Sequence, residues 1–171
     1  ALRLARVLGE RMGRLVLIST SPGMEDPQLR SERMAQDYAL AGSIEDSGVA
    51  WFSNHWANQA IIQSQQQIPD SIRKPMLERR KRNRVAGMAG SLRGMGQGAV
   101  DPIWADLEEI QAPVLLITGE LDLRYTRMAE RAVSKLRHGA HVTISNAGHC
   151  THLESLDAVL QSVEGFLSAT G

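Results

Sequence analysis

A single cysteine, Cys150, among 171 residues excludes both an intrachain disulfide and a thiolate zinc cluster, and it makes a reducing compartment, the cytoplasm, the expected setting. Net charge is also absent: nineteen Lys and Arg offset nineteen Asp and Glu. That balance argues against nucleic acid or an anionic membrane surface as the main partner. No apolar run approaches the roughly 20 residues that cross a bilayer, and no basic segment followed by an apolar stretch opens the chain. Neither a membrane nor a nucleic acid partner is therefore expected. Internal repeats and low-complexity tracts are lacking as well. What remains is a chain with 43% hydrophobic residues, enough to bury a core as one domain or as part of a larger one.

Residue 1 already lies in helical periodicity. Leu2, Ala5, Leu8 and Met12 share one face, with Arg3, Arg6 and Glu10 around the other and Gly13 placed to end the helix. The run Arg14 to Thr20 reads as a strand buried on both faces, broken by Ser21-Pro22-Gly23. From Asp26 to about Gln97 no β-rich run occurs, and helices are expected over about 27–46, 48–57, 69–82 and 85–95, with Pro69 and Pro75 marking breaks or first turns. Strand and helix then alternate: a strand over 113–118, a helix over 124–136, a strand over 140–144 and a helix over 155–167. The expected class is α/β, a parallel sheet with an inserted helical lid. Residues 1–25 form a core helix and strand, 26–98 the lid, and 99–171 the C-terminal core.

In open parallel sheets, functional groups gather on loops at the carboxyl ends of strands. Two such loops carry chemistry. Gly119-Glu-Leu-Asp122 places a carboxylate just past one strand, and Asn146-Ala-Gly-His149 places an imidazole just past the next. Alone, each has a plainer reading: the Asp as a turn or helix cap, the His as a structural turn residue. Together, in the order Asp then His near the C-terminus, they suit a carboxylate that fixes the imidazole tautomer, two thirds of a catalytic triad. His152 and Glu154 suit a supporting or capping role better than a metal site, because no acidic or His cluster accompanies them. No metal and no cofactor are expected. Cys150 reads as a small buried hydrophobe, and His55, His138 and His141 as surface groups.

The runs 114–125 and 147–154 resemble the C-terminal half of the α/β-hydrolase family. Ser91-Leu-Arg-Gly-Met-Gly-Gln-Gly98, with Ser21-Pro-Gly23 and Trp56, is similar to the 2-succinyl-6-hydroxy-2,4-cyclohexadiene-1-carboxylate (SHCHC) synthases of menaquinone biosynthesis, over essentially the whole chain. The resemblance implies Asp122 and His149 as catalytic acid and histidine. It also implies a nucleophile elbow, Gly-x-Ser-x-Gly, which this sequence does not contain. The Ser and the oxyanion amides are expected before Ala1, and the chain is read as the C-terminal portion of a longer enzyme.

The substrate type implied is a cyclohexene bearing several carboxylates, which calls for guanidinium groups. On that pattern Arg33 and Arg80 fall on lid arginines and Trp56 on a pocket wall. Each also has a plain reading: Arg33 as a solvated helix residue, Trp56 as lid core, and the basic run 79–84 as a solvated face. Arg79, Lys81, Arg82 and Arg84 crowd Arg80, so a slip in register selects a neighbour. Arg93 either supports the lid or contacts the ligand. Activity expected from the resemblance is elimination of pyruvate. The alternatives are an ester or C–C bond hydrolase and a non-catalytic fragment. Expected partners are a small polycarboxylate substrate and, through an exposed sheet edge, the missing half or a second copy.

Overall fold

The computed structural model describes residues 1–169 and divides into two compact units. The first comprises residues 1–22, 64–67 and 103 onward, and the second comprises residues 23–63 and 68–102.

The first unit is built on three parallel strands, β1 (Leu15–Ile18), β2 (Val114–Gly119) and β3 (Gly139–Ile144), in that spatial order. Leu15 pairs with Val114 and Val114 with Gly139, so the carboxyl ends of β2 and β3 finish together at Gly119 and Ile144. Central position explains the apolar run of β2, in which every residue is buried. Val114 and Leu116 face one core, with Leu2 and Ala5 of α1 (Leu2–Leu8) and Ala129 and Ala132 of α5 (Leu123–Val133). Leu115 and Ile117 face the other, with Ile144 and Val159 of α7 (Leu156–Ser168). A short helix, α6 (Thr151–Glu154), precedes α7. The α/β class with a parallel sheet is as expected.

Two expectations in this unit are corrected. The opening helix stops at Gly9, whose φ of 52° only glycine adopts freely, and a 3₁₀ turn over Gly9–Arg11 follows, so Gly13 is not the terminator. His141 is half-buried: its Nε2 lies 2.7 Å from Thr118 Oγ1, and burial lowers its pKa against the opposing influence of Glu130. His138 is exposed.

The second unit is helical: α2 (Pro27–Ala57), α3 (Asp70–Lys81) and α4 (Val85–Met95). Asp26 caps α2, accepting from the amides of Gln28 and Leu29 at 2.8 and 3.1 Å, while Pro27 supplies a first-turn φ. The two helices expected over 27–46 and 48–57 are both present in α2, separated at Gly48, whose φ of 80° and ψ of 175° are not helical. Pro69 caps α3, but Pro75 sits inside it and does not break it. Ala41, Ile44 and Ala89 are fully buried between α2 and α4. Arg93 binds both oxygens of Glu45 at 2.6 Å and lies over Tyr38, and the pairing holds the Glu45 carboxyl below its usual range. Of the two roles left open for Arg93, supporting the lid helices is the one this geometry favours.

Candidate active site

Asp122 ends the loop after β2 and caps α5. Its Oδ1 accepts from the Tyr125 amide at 3.4 Å, and its Oδ2 lies 2.7 Å from His149 Nδ1. The Asp122 side chain is buried, at 8% exposure, whereas the His149 side chain is 24% exposed. That difference sets the chemistry. A buried carboxylate accepts the Nδ1 proton, which leaves Nε2 as the basic nitrogen, and the imidazole retains an open side. The edge of Tyr125 packs on the ring at 4.5 Å between centroids and restricts its rotation.

Why the two loops meet is a matter of close backbone approach. A Cβ at Gly119 would collide with the carbonyl oxygens of Ala147 and Gly148, and one at Gly148 would collide with Ser64. Both positions need glycine for lack of space. Asn146, at φ 57°, turns the chain after β3, and its amide donates to Glu120 Oε2 at 2.9 Å. The Leu121 amide donates to the Ala147 carbonyl at 2.9 Å.

Glu154 grips the histidine loop on both sides of His149. Its Oε2 accepts from the Gly148 amide at 2.6 Å and its Oε1 from the Cys150 amide at 3.2 Å. The capping role read from the sequence is thus the geometry Glu154 adopts, while His152 is exposed on α6. Replacing Glu154 with Ala is expected to cost about 1.5–3 kcal/mol, the worth of charge-assisted bonds to buried amides. Thermal denaturation reads this directly, and a melting point unchanged within a degree would remove Glu154 from the loop's support. Cys150 is half-buried and accepts a hydrogen bond from Gln65 Nε2 at 3.0 Å, so it is not the fully buried hydrophobe expected from the sequence. Gln65 lies in a 3₁₀ segment, Ala60–Gln67, that no periodicity marked.

The lid residues all lie in the second unit. Arg33 Nε pairs with Asp37 Oδ1 at 2.8 Å, and Asp37 is 4% exposed. Arg33 is therefore no solvated helix residue. Trp56 stacks on Phe52, centroids 5.5 Å apart, and both line a cleft of about 570 Å³. Arg80 is half-buried on α3. Arg84, which the sequence reading named only as a neighbour, lines the cleft.

Residues 1–162 match the alpha/beta hydrolase family. The chain is 36% identical over 160 residues to a Bacillus subtilis protein provisionally named 2-succinyl-6-hydroxy-2,4-cyclohexadiene-1-carboxylate synthase, covering 94% of this chain and 58% of that protein. It superposes on the structure of MenH from S. aureus with a TM-score of 0.92 and 29% identity, over 98% of this chain and 64% of that one. A thermophilic esterase from Thermogutta terrifontis shares the fold at a TM-score of 0.82 and 18% identity, over 97% and 59% of the two chains. The chain thus spans less than two thirds of the length of these relatives. With the match running from the first helix into the last, the chain belongs to the alpha/beta hydrolase family.

Proposed function

We propose that the protein to which this chain contributes is an SHCHC synthase, a carbon–oxygen lyase of menaquinone biosynthesis. Its substrate on this reading is 2-succinyl-5-enolpyruvyl-6-hydroxy-3-cyclohexene-1-carboxylate, from which pyruvate is eliminated. The observation that carries the proposal is the Asp122–His149 contact in a chain 36% identical to the Bacillus subtilis protein of that name.

The elimination needs a base, and His149 Nε2 is the free nitrogen. The 171 residues contain no Gly-x-Ser-x-Gly. The proposal therefore draws its serine, and the amides of an oxyanion hole, from the length of the relatives that this chain does not span. His149 removes the serine hydroxyl proton as the serine oxygen takes a ring C–H proton. The C–H electrons form a new ring double bond, the existing ring double bond shifts one position toward the leaving group, the bond to the enolpyruvyl oxygen breaks, and the departing enolate is reprotonated to pyruvate. No acyl-enzyme is required. Arg33, Trp56 and Arg80 are the proposed substrate contacts, with the arginines pairing carboxylates. An ester hydrolase is the second reading, and cations in the lid suit it less well than a polycarboxylate.

Arg80→Ala is expected to weaken substrate capture by roughly 1.5–3 kcal/mol, or about 10–150-fold in kcat/KM. Arg33→Ala is expected to lose as much, and it also strands the buried Asp37 carboxylate. The double change Arg33→Ala with Asp37→Asn separates the two effects, since it removes the charge that the first variant leaves unpaired. Pyruvate release followed in these variants decides the matter. If a neutral ester substrate loses as much as the polycarboxylate, the lyase reading is wrong.

A further inference from the structure

The cleft of the second unit has apolar walls from Phe52, Trp56, Met88 and Leu92, with Asn83, Arg84 and Ser91 beside them. Its volume of about 570 Å³ falls within the range that holds a small ligand. The cation is what sets it apart. Arg30, Arg73 and Arg93 all spend their charge on carboxylates of the same unit, respectively Asp101, Asp70 and Glu45, and Arg33 gives its Nε to Asp37. Arg84 is exposed, and no carboxylate among the described residues pairs with it. The nearest counter-charge in sequence, Glu78, pairs with Lys81, and residues 79–100 contain five other basic residues and no Asp or Glu.

An unpaired guanidinium beside a stacked aromatic pair suits one kind of occupant. A planar or half-planar ring covers the Trp56 and Phe52 faces, and an anion attached to the ring meets the cation. A free phosphate is poorly matched to four apolar walls, and a neutral ester leaves the charge uncompensated. We propose that Arg84, with Trp56 and Phe52, forms a subsite for a carboxylate borne on a six-membered unsaturated ring, and that Arg84 sets the preference for the charged ligand. The inference deepens the lyase reading and rests on it for the identity of the natural ligand. The preference of the cleft is testable without turnover.

The probe is cyclohex-1-ene-1-carboxylate, with its neutral carboxamide as control, titrated into the protein as isolated, whether alone or with a polypeptide that completes it. Tryptophan emission reports occupancy, and Trp56→Phe identifies the reporting residue. The carboxylate is expected to change the emission and to bind at least tenfold more tightly than the carboxamide. Arg84→Gln should weaken carboxylate binding tenfold or more, Arg84→Lys by about threefold, and neither should alter carboxamide binding. Lys74→Gln, at an exposed lysine that pairs with Asp70, should stay within twofold of the unsubstituted protein. Equal binding of acid and amide, an Arg84→Gln variant within twofold, or a response that survives Trp56→Phe overturns the subsite. The lyase reading fails differently: pyruvate is not released although the cleft still selects the carboxylate.

Discussion

Asp122→Asn lowers turnover on the order of 10³–10⁴ while leaving the fold in place. The physical reason lies in the two bonds of the carboxylate. Oδ1 caps α5 through the Tyr125 amide, and an isosteric amide oxygen accepts that bond equally well. Oδ2 faces His149 Nδ1 at 2.7 Å, and there an amide N–H replaces an acceptor. It drives the imidazole toward the tautomer with its proton on Nε2, and the nitrogen needed as base is then occupied. Loss of the carboxylate also removes the charge that stabilises the imidazolium. Turnover measured in a complete enzyme beside the far-ultraviolet spectrum and melting point tests both halves. A variant within threefold of the parent removes Asp122 from the mechanism.

Gly119→Ala is expected to destabilise the fold by about 2–3 kcal/mol, the cost of overpacking a closed site, or roughly 4–12 °C for a chain of this size. The added methyl group meets two backbone carbonyls, those of Ala147 and Gly148, and no side chain can swing aside to make room. Separation of the two loops should pull His149 from Asp122 and depress activity beyond the loss of stability. Gly165→Ala provides the contrast, since a Cβ there on α7 meets nothing within 4 Å, and it should stabilise by about 0.5–1 kcal/mol. Parallel melts are sufficient. If Gly119→Ala melts with the parent, close approach of the loops is not what fixes the pair.

Several features were legible because their causes are local. The six-residue run of β2 is apolar throughout because both faces are covered, and that signal survives in one dimension. Asp26 before Pro27 names the start of α2 without any tertiary contact. Asp122 and His149 were readable because each sits just past a strand end, and the order Asp then His carries the resemblance. Other features were illegible for the opposite reason. Pro75 costs α3 one backbone bond, which the helix absorbs, so proline chemistry alone suggested a break where none exists. His141 looked like a surface residue until Thr118 came beside it across the sheet.

The sequence by itself determined the α/β class, the helical stretch between the first two strands and the two strand-end loops that carry the candidate pair Asp122 and His149, since these follow from periodicity, turn chemistry and position along the chain. Only the tertiary structure decided which charges are already spent. Arg93 is committed to Glu45, 48 residues away, whereas Arg84 lines the cleft without a carboxylate. Both are arginines of the same basic, glycine-bearing stretch, and nothing in their neighbours along the chain separates them. The separation is made by the packing of α4 on α2, which brings a carboxylate within ion-pair distance of Arg93 and leaves Arg84 without one, because Coulomb attraction acts over a few ångströms of space and takes no account of sequence distance.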